Sequence, residues 1–149
     1  MKLEDEIKQS RFKDEYHKLS VNIIYTSNWL SLHFEKHCKK FDITPEQFNI
    51  LRILRGQHPH PATVNLLIDR MLNKMSNASR LVEKLRKKGL VGRHTSKADR
   101  RACDVMITDR GLHLLKDLDK AAIEWNKMIS HISENEAKAL NGLLDRLRK

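Results

Sequence analysis

Apolar side chains recur along most of this chain at three- and four-residue steps, the period of one helix face. Ile7, Phe12, Tyr16, Leu19, Ile23, Leu30 and Phe34 keep that rhythm and predict one long first helix over about residues 5–38. Ile24, Trp29 and Leu32 widen its apolar face beyond what a small core needs, which points to a partner subunit. A second helix opens at Thr44 and Pro45, with Gln47 completing a capping box, and buries Phe48, Leu51 and Leu54. Gly56 and the His-Pro-His-Pro run end it. A short third helix over about 63–71 turns Val64, Leu67, Ile68 and Met71 inward.

The fourth helix is predicted over about 74–88, with Asn73 as N-cap and Gly89 as the residue that closes it. Met75, Ala78, Leu81, Val82 and Leu85 gather on one side. Asn73, Asn77, Arg80, Lys84 and Lys87 fall within about 40° of a common direction on the other, flanked by Ser76. Alternation then replaces the helical period. Two strands are predicted over 90–95 and 103–108, with Cys103, Val105 and Ile107 sharing the inward parity, joined by residues 96–102. A further helix runs from about Thr108 to Ser130 and carries Leu112, Leu115, Leu118, Ala122, Trp125 and Ile129. The last starts with a second capping box, Ser133 to Glu136, and is expected to bury Ala137, Leu140, Leu144 and Leu147. No internal repeat, low-complexity stretch or linker divides the 149 residues, which suit a single domain.

Helix, short helix, basic-faced helix and hairpin is the order of a winged helix-turn-helix: a mainly α fold with a small β-hairpin wing. The second helix of such a pair lies in the major groove of double-stranded DNA, where residues near its N-terminus reach base edges. Ser76, Asn77, Ser79 and Arg80 suit base reading. Lys74, Lys84, Lys87 and Lys88 suit phosphates. A formal net charge of +10 favours a polyanionic partner, nucleic acid before an anionic membrane. A basic face alone is equally compatible with a solvated surface helix; the hairpin that follows shifts the balance.

The stretch from Ser76 to Gly111, SNASRLVEKLRKKGLVGRHTSKADRRACDVMITDRG, closely resembles the core signature of MarR-type transcriptional regulators. In that signature a recognition helix ends in Gly-Leu-Val, a polar wing carries Asp-x-Arg, and a strand leads into Leu-Thr-x-x-Gly. ITPEQFNILRIL, residues 43–54, looks like that family's second helix. The resemblance implies a homodimer in which helices over about 5–38 and 112–149 interleave, with a DNA-binding lobe over about 44–111. It implies a pseudo-palindromic operator and, usually, repression. Carried over by position, Asp99 orients Arg101, which enters the minor groove, and Arg100 takes a position that is often basic. A narrow minor groove concentrates negative potential and attracts inserted arginine. Arg93 and Lys97 are the other candidate wing contacts. Ser96-Lys97-Ala98 departs from the common Asp-Pro-x, and Ile107 replaces the usual Leu. The resemblance also implies a ligand pocket between the dimerisation helices and the winged lobe. Tyr25, Trp29 and His33 are candidates to line it, equally readable as plain core, and a small anionic aromatic effector is the expected class.

Other chemistry is thin. Two cysteines separated by 64 intervening residues suggest neither a disulfide scaffold nor a zinc finger, and fit a reducing compartment. His33 and His37 share a helix face but lack a third and fourth metal ligand, so ordinary, partly exposed histidines are the expectation and no cofactor is assigned. Cys38 has basic neighbours, yet it lies at the end of the first helix, whereas peroxide-sensing relatives carry a reactive cysteine near its start. No nucleophile–base pair, carboxylate dyad or phosphate loop argues for an enzyme. No signal peptide or membrane span is recognisable, which leads to a cytoplasmic expectation. The alternatives are a winged-helix protein-interaction module that does not bind DNA, and a redox- or metal-responsive switch on the same scaffold.

Overall fold

The computed structural model describes residues 2–95 and 103–148. Along the chain these form α1 (Leu3–Ile7), α2 (Glu15–Lys39), α3 (Pro45–Gln57), β1 (Ala62–Thr63), α4 (Val64–Arg70), α5 (Ala78–Lys87), β2 (Val91–Thr95), β3 (Cys103–Ile107), α6 (Asp109–Ile129) and α7 (Glu134–Leu147). Among the described residues no helix is long and apolar enough to cross a membrane.

The long first helix is two. Lys8, at φ 54°, ends α1 in the left-handed region, and Asp14 restarts the chain by accepting the His17 N–H at 2.8 Å. The five-residue step from Ile7 to Phe12 is the mark of this break, since a continuous helix face repeats every three or four. α1 lies back on α2, where Glu4 pairs with Lys18 and the Tyr25 hydroxyl donates to Glu6 at 2.9 Å.

α3 forms the centre of the fold. Its start follows the capping-box reading: Gln47 Oε1 accepts the Thr44 N–H at 3.1 Å, and Thr44 Oγ1 accepts the Gln47 N–H at 3.2 Å. That reciprocity satisfies Gln47, the one polar side chain buried among the described residues. Ile50, Leu51 and Leu54 of α3 meet Leu67, Val82, Leu85, Val105, Leu115 and Leu118, all essentially inaccessible to solvent. α2, α4, α5, α6 and β3 all pack on α3.

The sheet holds a strand that the alternation of residues does not announce. β1, only Ala62 and Thr63, pairs antiparallel with Val105 and Asp104, so the order is β1-β3-β2. Two residues are too few to display a period of two. β2 and β3 pair from Val91↔Ile107 to Thr95↔Cys103. The side chain of Cys103 lies outside the described residues, so its inward placement is not addressed.

Several apolar positions of the predicted stripes are less covered than expected. Ile68 is 40% exposed on α4, and Met71, though buried, follows the helix rather than ending it. On α7 the stripe is only partly covered, with Ala137 and Leu144 half-buried and Leu140 and Leu147 exposed. Leu143 is exposed beside them. On α2, Tyr16, Leu19, Ile24 and Leu32 are likewise exposed. A helical period identifies a face; it does not say whether the cover comes from the same chain.

Candidate nucleic-acid interface

α5 begins four residues later than its periodicity indicates. Asn77, not Asn73, is the N-cap: its Oδ1 accepts the Arg80 N–H at 3.0 Å. Asn73 instead closes the preceding turn by accepting the Met75 N–H at 3.0 Å. Burial explains the choice, because Ala78 is 2% exposed and Met75 is 93% exposed. Lys74, placed on the helix by the sequence pattern, lies in that turn and donates to the carbonyls of Ile68 and Asp69 at the end of α4. Those carbonyls carry the negative end of the α4 dipole, a natural seat for an ammonium. Lys74 and Ser76 therefore precede α5, and the Asn77 side-chain oxygen is committed to the cap.

Ser79, Arg80, Lys84 and Lys87 remain exposed on α5, with Arg80, Lys84 and Lys87 stacked at i, i+4 and i+7. Ala78, Val82 and Leu85 face the core on the other side. Arg80, Lys84, Lys87 and Arg93 carry no ion pair among the described residues. The other cations nearby are engaged. Arg86 forms a bidentate pair with Glu83, Nη2 to Oε1 2.8 Å and Nε to Oε2 3.0 Å, which holds the Glu83 carboxyl below the usual range. Lys88 is tied to Asp42, Nζ to Oδ2 3.0 Å, at the α2–α3 junction. The helix ends in a Schellman turn: Gly89 at φ 70°, Leu90 N–H to the Leu85 carbonyl at 3.0 Å, Gly89 N–H to that of Arg86 at 2.9 Å. Arg93 projects from β2, exposed. Lys97, Asp99, Arg100 and Arg101 lie outside the described residues.

A cleft of about 720 Å³ lies between α2, α3, the α4–α5 turn and α6. Phe34 and Phe48 form its aromatic wall, edge to face at 5.1 Å, with Leu72 and Leu118 as further apolar lining. Arg52 reaches into it over the Phe48 ring, and its polar lining includes Glu35, Glu46, Asp119 and Asn49. Tyr25, Trp29 and His33 do not line it. The Tyr25 hydroxyl is spent on Glu6, and Trp29 and His33 pack together at 4.6 Å between ring centroids. One residue along α2 rotates a side chain by about 100°, so Phe34 faces the cleft where His33 does not. The cleft residues escape sequence reasoning because four separate segments supply them; Asn49 and Arg52, polar interruptions of the α3 stripe, are the only trace.

The sequence model of the MarR family matches residues 41–102, which contain α3, α4, α5 and β2. The HTH-type transcriptional regulator MhqR of Bacillus subtilis (strain 168) is 33% identical over 117 residues, covering 77% of this chain and 79% of that protein. The chain belongs to the MarR family. Two solved structures share its fold. The organohalide-sensing regulator RdhR in its 2,4-dichlorophenol-bound form superimposes with a TM-score of 0.81 at 19% identity, over 94% of this chain and 85% of that one. The S. aureus MepR–DNA complex gives 0.76 at 22%, over 92% and 97%. As a MarR-family chain this is a DNA-binding transcriptional regulator, its relatives being regulators rather than enzymes. α4 and α5 are its helix-turn-helix and β2–β3 its wing.

Among the described residues no three of His, Cys, Asp and Glu come together as a metal site. Cys38 is fully buried, and burial, with the Glu46 carboxylate adding repulsion, pushes its thiol up to about 11. A reactive thiol needs the opposite shift. His33 Nδ1 lies 2.9 Å from the Trp29 carbonyl oxygen, and His37 stacks on Phe34.

Proposed function

We propose that this regulator acts as a homodimeric repressor on a pseudo-palindromic operator, with one α5 in each of two successive major grooves. The observation that carries this reading is the line of Arg80, Lys84 and Lys87, without an ion pair among the described residues and exposed along the face opposite the core. In water such a line is merely solvated; against a phosphate backbone it releases condensed counterions. Ser79 and Arg80, in the first turn, are the base readers, and Lys84, Lys87 and Arg93 hold phosphates. Arg101, oriented by Asp99, is the minor-groove residue of the wing. The exposed leucines of α7 and the apolar residues on α2 supply the dimer contact. That division assigns residues 44–111 to DNA and the terminal helices to the partner.

The cleft supports a ligand response, as does the phenol held by the like-folded RdhR. Its aromatic wall suits a planar ring and Arg52 is the reader for an anionic substituent, in keeping with a small aromatic acid. Such an occupant lowers DNA affinity if it binds better to a state in which the two reading helices are differently spaced. Fluorescence anisotropy with genomic fragments across a salt series tests the DNA reading. A steep negative slope of log K against log salt is expected; no binding at low salt would instead favour a protein-interaction module.

A further inference from the structure

Asn49 sits on α3 at the edge of the cleft, and its Oδ1 accepts the backbone N–H of Leu72 at 2.9 Å, across 23 residues of sequence. Leu72 belongs to the turn that delivers the chain to α5. Met71 anchors that turn in the core at 2% exposure, while the Leu72 side chain is 86% exposed at the mouth of the cleft. Asn73 then closes the turn, and five residues after Leu72 comes Asn77, the N-cap of α5.

We infer that Asn49 is a positioning residue for the reading helix: its hydrogen bond to Leu72 fixes the turn that sets where the first turn of α5 meets DNA. The inference rests on the DNA-reading role proposed for α5. Its physical basis is the scarcity of other restraints. Beyond Met71, the residues of the turn are exposed except for half-buried Ser76; among the described residues its longer-range bonds are the one from the Leu72 N–H to Asn49 and those that its own Lys74 ammonium donates to the Ile68 and Asp69 carbonyls. Lys74 grips the end of α4, the element just before the turn, so it shapes the turn without referring it to the rest of the fold. Of the two, only Asn49 refers it to α3, the central helix. Because Asn49 also lines the cleft, together with Arg52 one helical turn away on the same face, the same amide is exposed to whatever occupies the cleft.

The test compares wild type with Asn49→Ala, which removes the acceptor, and Asn49→Asp, which keeps one. DNA affinity is read by anisotropy on a fragment selected for binding to wild type, and backbone exchange by mass spectrometry on peptides covering 71–81, β2–β3 and α6. Asn49→Ala is expected to weaken DNA binding roughly three- to tenfold, the size of one net hydrogen bond. Exchange should quicken in 71–81 while α6 and the β2–β3 hairpin keep their protection. Asn49→Asp should restore both. DNA affinity of Asn49→Ala within twofold of wild type overturns the inference, and so does faster exchange spread evenly over all peptides. Failure of wild type to bind any fragment refutes the DNA reading itself, a separate result from unchanged exchange in 71–81, which refutes the role of Asn49.

Discussion

The Thr108 hydroxyl donates to the carbonyl of Gly89 at 2.8 Å, tying the residue that starts α6 to the turn that ends α5. The same oxygen accepts the Gly111 N–H at 3.1 Å as an N-cap, and the Thr108 N–H reaches the Leu90 carbonyl at 3.1 Å. Thr108→Val keeps the shape and removes both hydroxyl bonds. A stability loss of about 1–2 kcal/mol is expected in urea unfolding, mostly recovered by Thr108→Ser.

Three residues on, Gly111 occupies a place where no side chain fits. A Cβ there would press on the Leu90 carbonyl oxygen and lie 2.7 Å from Ile107 Cγ1. The carbonyl belongs to the corner just described and cannot step aside. Gly111→Ala should therefore cost about 1–3 kcal/mol despite its good helix propensity, visible as a lowered melting temperature. Gly142→Ala on α7, with open space around the new methyl, should raise stability slightly and serves as the control.

DNA binding should distinguish free cations from engaged ones on the same helix. Arg80→Ala and Lys84→Ala are each expected to weaken binding and to reduce the salt slope by about 1 for each phosphate no longer held, with Arg80→Ala also relaxing sequence preference. Arg86→Ala should change the slope little, because Glu83 already holds that guanidinium. Equal slopes for all three variants would argue against the face assigned to DNA. Arg101→Ala tests the wing in the same assay, where a substantial loss of affinity is expected.

Cys38 makes a pH prediction. The folded chain holds the thiol proton more tightly than the unfolded chain, with a value of about 11 against an ordinary 9.0. A raised value stabilises the fold at every pH below the unfolded value, and the gain is lost as pH climbs from about 9 through about 11. Urea midpoints measured at pH 8 and pH 10.5 should fall more for wild type than for Cys38→Ala. Thiol reagents at neutral pH should label native Cys38 far more slowly than the urea-unfolded chain.

The α7 face offers a test of assembly. Leu143 is 58% exposed, so Leu143→Asp leaves the core of the single chain intact. Sedimentation velocity should show wild type as a dimer and the variant shifted towards monomer, with DNA affinity falling in parallel. A variant that sediments as wild type would remove α7 from the interface.

What can be read without coordinates is governed by interaction range. Thr44, Thr108 and Ser133 are legible as caps because cap and partner lie three residues apart. The start of α5 is not legible, for the converse reason. The pattern favours Asn73 as the cap, whereas Asn77 takes that place, and the decision falls to long-range terms: burial of Ala78, the grip of Lys74 on α4, and the Asn49–Leu72 bond. β1 exists only because β3 offers it an edge. The stripes of α2 and α7 are legible as faces and illegible as interfaces. On α2 the cleft lies one position away from the expected lining, since a rotation of about 100° separates His33 from Phe34.

β3 is the middle strand of its sheet, held by β1 on one side and β2 on the other. Two of these strands lead directly into helices: the Thr63 hydroxyl on β1 accepts the Leu66 N–H and caps α4, and Thr108, one step beyond β3, caps α6. If the hairpin grips DNA as proposed, a displacement of β3 would be felt at the starts of α4 and α6 together.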